Sequence, residues 1–125
     1  KKVPASSPHR FRFRDHEILV GRNNYQNDRL TLRQAKGSDL WLHAKQIPGS
    51  HVIVRPGTED EEVINVAAQL AAYYSKARES QNVPVDFTLV KHVHKPNGAK
   101  PGFVVYKGEK TVFVNPLYHK ELEVE

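Results

Sequence analysis

The run Leu40-Trp41-Leu42-His43-Ala44-Lys45-Gln46-Ile47-Pro48-Gly49-Ser50-His51-Val52-Ile53-Val54-Arg55 leads through Pro56-Gly57 into Thr58-Glu59-Asp60-Glu61, with apolar residues at Val63, Val66, Ala67, Leu70, Ala71 and Tyr74. Its first half has two extended, β-branched or aromatic segments around a Pro-Gly turn signal, which predicts an antiparallel hairpin. Its second half has apolar residues three and four apart behind a Thr58/Glu61 capping box, which predicts a long helix from Glu59 to about Arg78. A hairpin feeding directly into one long helix points to an α+β domain.

On the N-terminal side, Phe11-Arg12-Phe13-Arg14 and Glu17 to Arg22 read as strands. Asn27-Asp28 ahead of Leu30, Leu32 and Ala35 predicts a short Asx-capped helix near residues 28–36, stopped by Gly37. On the C-terminal side, Val85 to Val93 reads as a strand and Lys95 to Gly102 as a loop rich in Pro and Gly. Phe103-Val104-Val105-Tyr106 and Thr111-Val112-Phe113-Val114, joined by the Lys107-Gly108-Glu109-Lys110 turn, read as a second hairpin. The expected architecture is a single α+β domain over residues 9–125, an antiparallel sheet packed against one long helix at about 59–78, with a short helix near 28–36. Residues 1–8 read as a linker at the cut edge of a longer protein.

Composition narrows the function. With 38% apolar and 26% charged residues the chain can pack an interior, and with no cysteine it can offer neither a thiolate nucleophile nor a Cys-ligated zinc site. The longest apolar run, Val66 to Tyr74, is interrupted by Gln69 and falls far below the roughly 20 residues of a membrane span. Lys and Arg number 19 against 14 Asp and Glu, and the imbalance is local. Residues 1–55 carry +7, residues 56–85 carry −3 and residues 86–125 carry +1. A positive region of this kind favours phosphate backbones through counterion release.

Three groups of residues can carry chemistry. Asp39, Trp41 and His43 alternate, so in a strand they share one face, and His51 lies on the partner strand of the hairpin. Three readings of this array stand open: core packing, a base-stacking and hydrogen-bonding platform for nucleic acid, and a two-His-one-carboxylate metal site. The amide-rich turn Gly21-Arg22-Asn23-Asn24-Tyr25-Gln26-Asn27-Asp28 can read base edges or phosphates, or satisfy turn and cap hydrogen bonds. Lys91, Lys95 and Lys100, with His92 and His94 among them, place cations on a strand and the loop after it, where Gly98 and Gly102 leave the chain free to approach a backbone. Ser50 beside His51 lacks the strand-turn-helix elbow of a nucleophile.

Read together, Ile18-Leu19-Val20-Gly21-Arg22-Asn23, Asn27-Asp28, Asp39-Leu40-Trp41-Leu42-His43, Pro48-Gly49-Ser50-His51-Val52, Ala71-Ala72-Tyr73-Tyr74-Ser75, Val85-Asp86-Phe87-Thr88 and Lys95-Pro96-Asn97-Gly98-Ala99-Lys100-Pro101-Gly102 resemble one family. In this order they are similar to the NFACT-R domain, the C-terminal module of the bacterial RqcH proteins, also described as fibronectin-binding proteins of Gram-positive bacteria. Phe87 departs from the pattern, which has tyrosine there. The resemblance implies RNA binding in ribosome-associated quality control, on stalled large ribosomal subunits, where tRNA is recruited to add alanine to the nascent chain. It also implies that this chain lacks the family's other domains and, with them, the tailing activity.

The expected function is therefore that of a cytoplasmic module binding tRNA or rRNA, with large-subunit RNA and proteins as partners, and neither a self-sufficient enzyme nor a cofactor protein. Arg22, Asn23, Asn27, Lys45, Lys91, Lys95 and Lys100 are the expected polar RNA contacts, with Trp41, His43 and His51 making closer ones. The alternatives are a cell-surface adhesin domain that binds fibronectin and a metal-dependent nuclease or RNA-modifying site at Asp39, His43 and His51.

Overall fold

A computed structural model of the chain describes residues 7–124; the linker expected over residues 1–8 lies outside these apart from Ser7 and Pro8. The strands are β1 (His9–Phe13), β2 (His16–Val20), β3 (Leu40–Ala44), β4 (Val52–Arg55), β5 (Val83–Leu89), β6 (Val93–His94), β7 (Val105–Tyr106), β8 (Lys110–Val114) and β9 (Glu123–Val124). Seven of them form one antiparallel sheet in the order β8-β5-β3-β4-β2-β1-β9, and β6 pairs with β7 in a separate ribbon. The predicted hairpin is present at the centre of the sheet, with Leu40 opposite Val54, Trp41 opposite Ile53 and Leu42 opposite Val52. The fold is α+β, as the sequence predicts.

Strand alternation sends side chains to both faces of this sheet, and both faces are covered. On one side Ile18, Val20, Leu40, Leu42, Val52, Val54 and Val85 pack with Val63, Ala67, Leu70 and Ala71 of the long helix α2 (Glu61–Tyr73). On the other, Leu19, Trp41 and Ile53 pack with Leu30, Val90 and Val93, flanked by Ala35, Val104 and Tyr106. Uninterrupted apolar runs such as Ile18-Leu19-Val20 and Val52-Ile53-Val54 are the signature of strands buried twice. The result is a three-layer domain: helix, sheet, and a second cover made of α1 (Asn24–Arg29), the turn that follows it, and the β6–β7 ribbon.

Four expectations need correction. The short helix begins at Asn24 because Asn23, and not Asn27 or Asp28, caps it by accepting from the Gln26 N–H at 2.9 Å. From Leu30 to Gln34 it widens to π-helical bonding, and the Ala35 N–H reaches back five residues to the Leu30 carbonyl. The long helix is shorter than predicted. Asp60, not Thr58, caps it by accepting from the Glu62 N–H, and it ends at Tyr73 because the Ser75 hydroxyl takes the Ala72 carbonyl while the chain turns to bridge Gly49. The strand expected over Val85–Val93 spans Val83–Leu89 and breaks at a 3-10 turn, Val90–His92.

The predicted C-terminal hairpin is absent, because its two halves send their apolar side chains to opposite layers. Val112 and Val114 belong with α2, so β8 pairs with β5. Val104 and Tyr106 belong with Trp41, so β7 leaves to pair with β6. Phe87, at the family's tyrosine position, packs half-buried on the α2 side.

Asp86 joins the separated pieces. It is buried and accepts from the Tyr106 hydroxyl at 2.6 Å and the Thr111 hydroxyl at 2.6 Å, with the Lys45 ammonium at 3.4 Å. Burial and this hydrogen bond push the Tyr106 phenol well above its usual value. Asp86→Ala leaves the Tyr106 and Thr111 hydroxyls without their acceptor, while Lys45 stays solvated, so urea denaturation should show a loss of about 2 kcal/mol, with Asp86→Asn losing less.

Candidate nucleic-acid interface

The Asp39–Trp41–His43 array does share one face, and His51 does approach it. The His43 ring lies parallel to Trp41 with centroids 5.7 Å apart, and His51 stands edge-on to both, 5.4 Å from Trp41 and 5.6 Å from His43. What the array faces is the second cover and not solvent. Trp41 is 1% exposed and packs on Tyr106 at 4.6 Å, so it offers no surface on which a base can stack. Its indole N–H has no hydrogen-bond partner among the described residues. Leaving that donor dry costs about 1–3 kcal/mol, which the ring's apolar burial outweighs.

Asp39 does not orient His43. It accepts from the Lys36 N–H at 2.9 Å and lies 3.6 Å from Arg55. His43 faces two carbonyls instead, Ala44 at 2.6 Å and Gly49 at 3.2 Å, and burial pushes its pKa down against their pull. His51 is 1% exposed; its Nδ1 meets the Thr31 hydroxyl at 2.8 Å and its Nε2 meets the Gly102 carbonyl at 3.0 Å. A neutral ring donating from Nε2 and accepting at Nδ1 satisfies both. With both His51 nitrogens hydrogen-bonded, the His43 nitrogens each turned to a backbone carbonyl and Asp39 turned to Arg55, the metal reading has no free ligand set, and no metal-binding group of three or more His, Asp or Glu occurs among the described residues.

The amide-rich turn is part of the same network. Asn27 is buried, not a contact residue: its Oδ1 accepts from the His51 N–H at 3.1 Å, while the Gly21 N–H donates to the His51 carbonyl at 3.1 Å and the Ser50 hydroxyl to the Gly21 carbonyl at 2.7 Å. A Cβ at position 21 would overlap Asn27 Oδ1, so the backbone approach requires glycine. Asp28 accepts from the Gly102 N–H at 3.0 Å and pairs with Lys95 at 3.2 Å. Lys95 also donates to the carbonyls of Lys100, at 2.6 Å, and Phe103, at 3.2 Å. The Lys95–Gly102 loop is thus stapled to α1, and Lys95 is the staple. Gly102, at φ +85° against Asn24, is a docking point and not a point of freedom.

Pairing sorts the remaining cations. Lys45 and Lys95 are held by Asp86 and Asp28. Arg22, Lys91 and Lys100 are exposed and make no ion pair among the described residues. Residues 21–37 and 90–108, the segments of the second cover, contain eight Lys and Arg and a single acid, Asp28. Residues 56–73 at the α2 layer contain four acids and no Lys or Arg. A groove of about 1,420 Å³ lies on that side, lined by Glu59, Glu61 and Glu62 against Arg14 and Lys110, with apolar Leu40, Phe87 and Leu89. With more acids than cations it is less favourable to a polyanion than the second cover.

A second cleft, about 340 Å³, opens where the Gly21–Asn24 turn meets the Pro48–Ser50 loop and the end of α2. Arg22, Lys76 and Arg78 line it with Asn23, Asn24 and Ser50, and no acid does. Lys76 and Arg78 were not expected from sequence, because they lie in the segment whose net charge is −3. The Ala71-Ala72-Tyr73-Tyr74-Ser75 motif beside them was the available signal.

A model of the NFACT protein RNA binding domain matches residues 9–110. The chain belongs to this family. The NFACT-R domain described above is 60% identical over 99 residues to the Rqc2 homolog RqcH of Bacillus subtilis (strain 168), covering 79% of this chain and 17% of that protein. It is 55% identical over 104 residues to the Rqc2 homolog RqcH of Streptococcus suis (strain 05ZYH33), covering 82% and 19%. Its fold matches the C-terminal part of the fibronectin/fibrinogen-binding protein from Streptococcus suis with a TM-score of 0.91 at 46% identity, over 99% of this chain and 52% of that one. The chain therefore spans less than a fifth of the length of those curated relatives. Among the described residues no helix is long and apolar enough to cross a membrane.

Burial pushes His51 down to about 4, with His43 adding to the effect. A folded-state value below the unfolded value of about 6.5 means that folding resists protonation, so stability is full above pH 6.5 and falls as the pH drops towards 4. Chemical denaturation should show His51 alone removing about 2 kcal/mol between pH 7 and pH 5. The loss should be shallower in His51→Gln.

Proposed function

We propose that this NFACT-R domain binds structured RNA, tRNA or large-subunit rRNA, through its second cover, as one module of a ribosome-associated quality control factor that supports alanine tailing of stalled chains. The observation that carries this reading is the segregation of charge: one cover of the sheet has eight basic residues to one acidic, and the other is acidic. Arg22, Lys91 and Lys100 are unneutralised on that cover, and Arg29, Arg33 and Lys36 are exposed beside them. Phosphates would displace condensed counterions from such a surface without needing a deep pocket.

Trp41, His51, Asn27 and Lys95 serve this function indirectly. They hold the cover to the sheet and present the outer cations, a positioning role for residues that the sequence suggests as contacts. Asn23, exposed where its side chain caps α1, is placed for a secondary contact, while His43, stacked on Trp41 with its nitrogens turned to two carbonyls, shares the positioning role.

Fluorescence anisotropy with a labelled tRNA transcript and a large-subunit rRNA fragment, repeated over a salt series, checks the reading. The expected slope of log affinity against log salt is about −3 or steeper, as for four or more phosphates. A flat response, or no binding, contradicts it. Retention on immobilised fibronectin that excess RNA fails to compete would favour the adhesin reading.

A further inference from the structure

The cleft at the end of α2 lies where the second cover meets that helix, and its composition sets it apart. Its three cations, Arg22, Lys76 and Arg78, make no ion pair among the described residues, and no carboxylate lines it. A helix C-terminus normally repels anions through its free carbonyls, but here those carbonyls are taken. Ala72 accepts from the Ser75 hydroxyl at 2.7 Å, Tyr73 from Arg78 Nε at 2.7 Å and Tyr74 from the Ser50 N–H at 3.0 Å.

Arg78 is also set in place. Its guanidinium lies 4.1 Å from the Tyr73 ring centroid while Nε donates to the Tyr73 carbonyl, and its two terminal nitrogens have no partner among the described residues. A guanidinium held by stacking and one hydrogen bond, with its fork unused, is a preorganised phosphate donor. Arg22 is held by one hydrogen bond without the stacking, its Nε donating to the Ser7 carbonyl at 2.6 Å. The walls are fixed as well: Gly49 bridges Ser75, and the Lys76 N–H donates to the Pro48 carbonyl at 2.9 Å. The positive field of the site also acts on His9, whose imidazole is pushed down by burial and then by Arg22.

We infer that this cleft seats a backbone phosphate of the bound RNA, gripped by the Arg22 and Arg78 forks and the Lys76 ammonium. The inference rests on the RNA-binding reading above and adds to it a site, at the junction of the basic cover and α2, where the chain of an RNA is anchored.

The test compares three forms of the domain on a labelled tRNA transcript over a salt series: wild type, Lys76→Ala with Arg78→Ala, and Lys110→Ala with Lys120→Ala, which removes the same charge from exposed positions elsewhere. Loss of two of the three cations that grip this phosphate should weaken binding roughly tenfold near physiological salt and make the salt slope shallower by about 0.7, with the control pair close to wild type. If wild type binds but the cleft pair weakens no more than the control pair, the cleft site is overturned and the RNA-binding reading stands. If wild type shows no salt-dependent binding, that reading fails and takes the cleft with it. Should the Arg78 change lower thermal stability, Lys76→Ala alone decides, with an expected weakening of about threefold against none for Lys110→Ala.

Discussion

The buried, neutral imidazole of His51 is the point through which the second cover is attached to the sheet. Its ring ties β4 to the π turn through Thr31 and to the Lys95–Gly102 loop through Gly102, and its backbone ties both to the Gly21–Asn27 turn. Each bond is modest, of order 1 kcal/mol net. Leaving any of these buried groups unpaired would cost more, so the network holds as a set or fails as a set. The cover it secures is small and loop-rich, and among the described residues its large apolar contacts gather around Trp41 and Tyr106.

That arrangement separates two tasks which residue types alone would merge. Aromatic and imidazole side chains near cations suggest direct recognition of bases, yet here they form the seat on which the cationic cover rests. Charge does the outward work. The segments that contribute the cover, residues 21–37 and 90–108, are far apart in the chain, and Asp28 with Lys95 and Gly102 brings them together. Acidic residues collect instead at the start of α2, where they suit the helix N-terminus and keep a polyanion off that side.

Much of the fold is legible in sequence because it rests on local signals. The hairpin around Pro48-Gly49 and the stripe Val63, Val66, Ala67, Leu70, Ala71 declare themselves through periodicity. The misreadings come from tertiary partners that no local pattern encodes. Asn27 and Asp28 look like caps, but their side chains are claimed by His51 and Gly102. Phe103–Val114 looks like a hairpin, but Tyr106 and Val112 are wanted on opposite faces of the sheet. At the interface, Lys45 and Lys95 look like phosphate ligands until their partners Asp86 and Asp28 are located, and Lys76 and Arg78 are hidden by an acidic segment average.

The central claim is that RNA meets the domain on the basic cover and at the end of α2, while the start of α2 stays clear. Amide chemical-shift mapping on adding a tRNA transcript tests this directly. The account predicts perturbations concentrated in residues 21–37, 75–78 and 90–108, with residues 59–66 unchanged. Perturbations centred on residues 59–66 and the Phe87–Leu89 groove would contradict it.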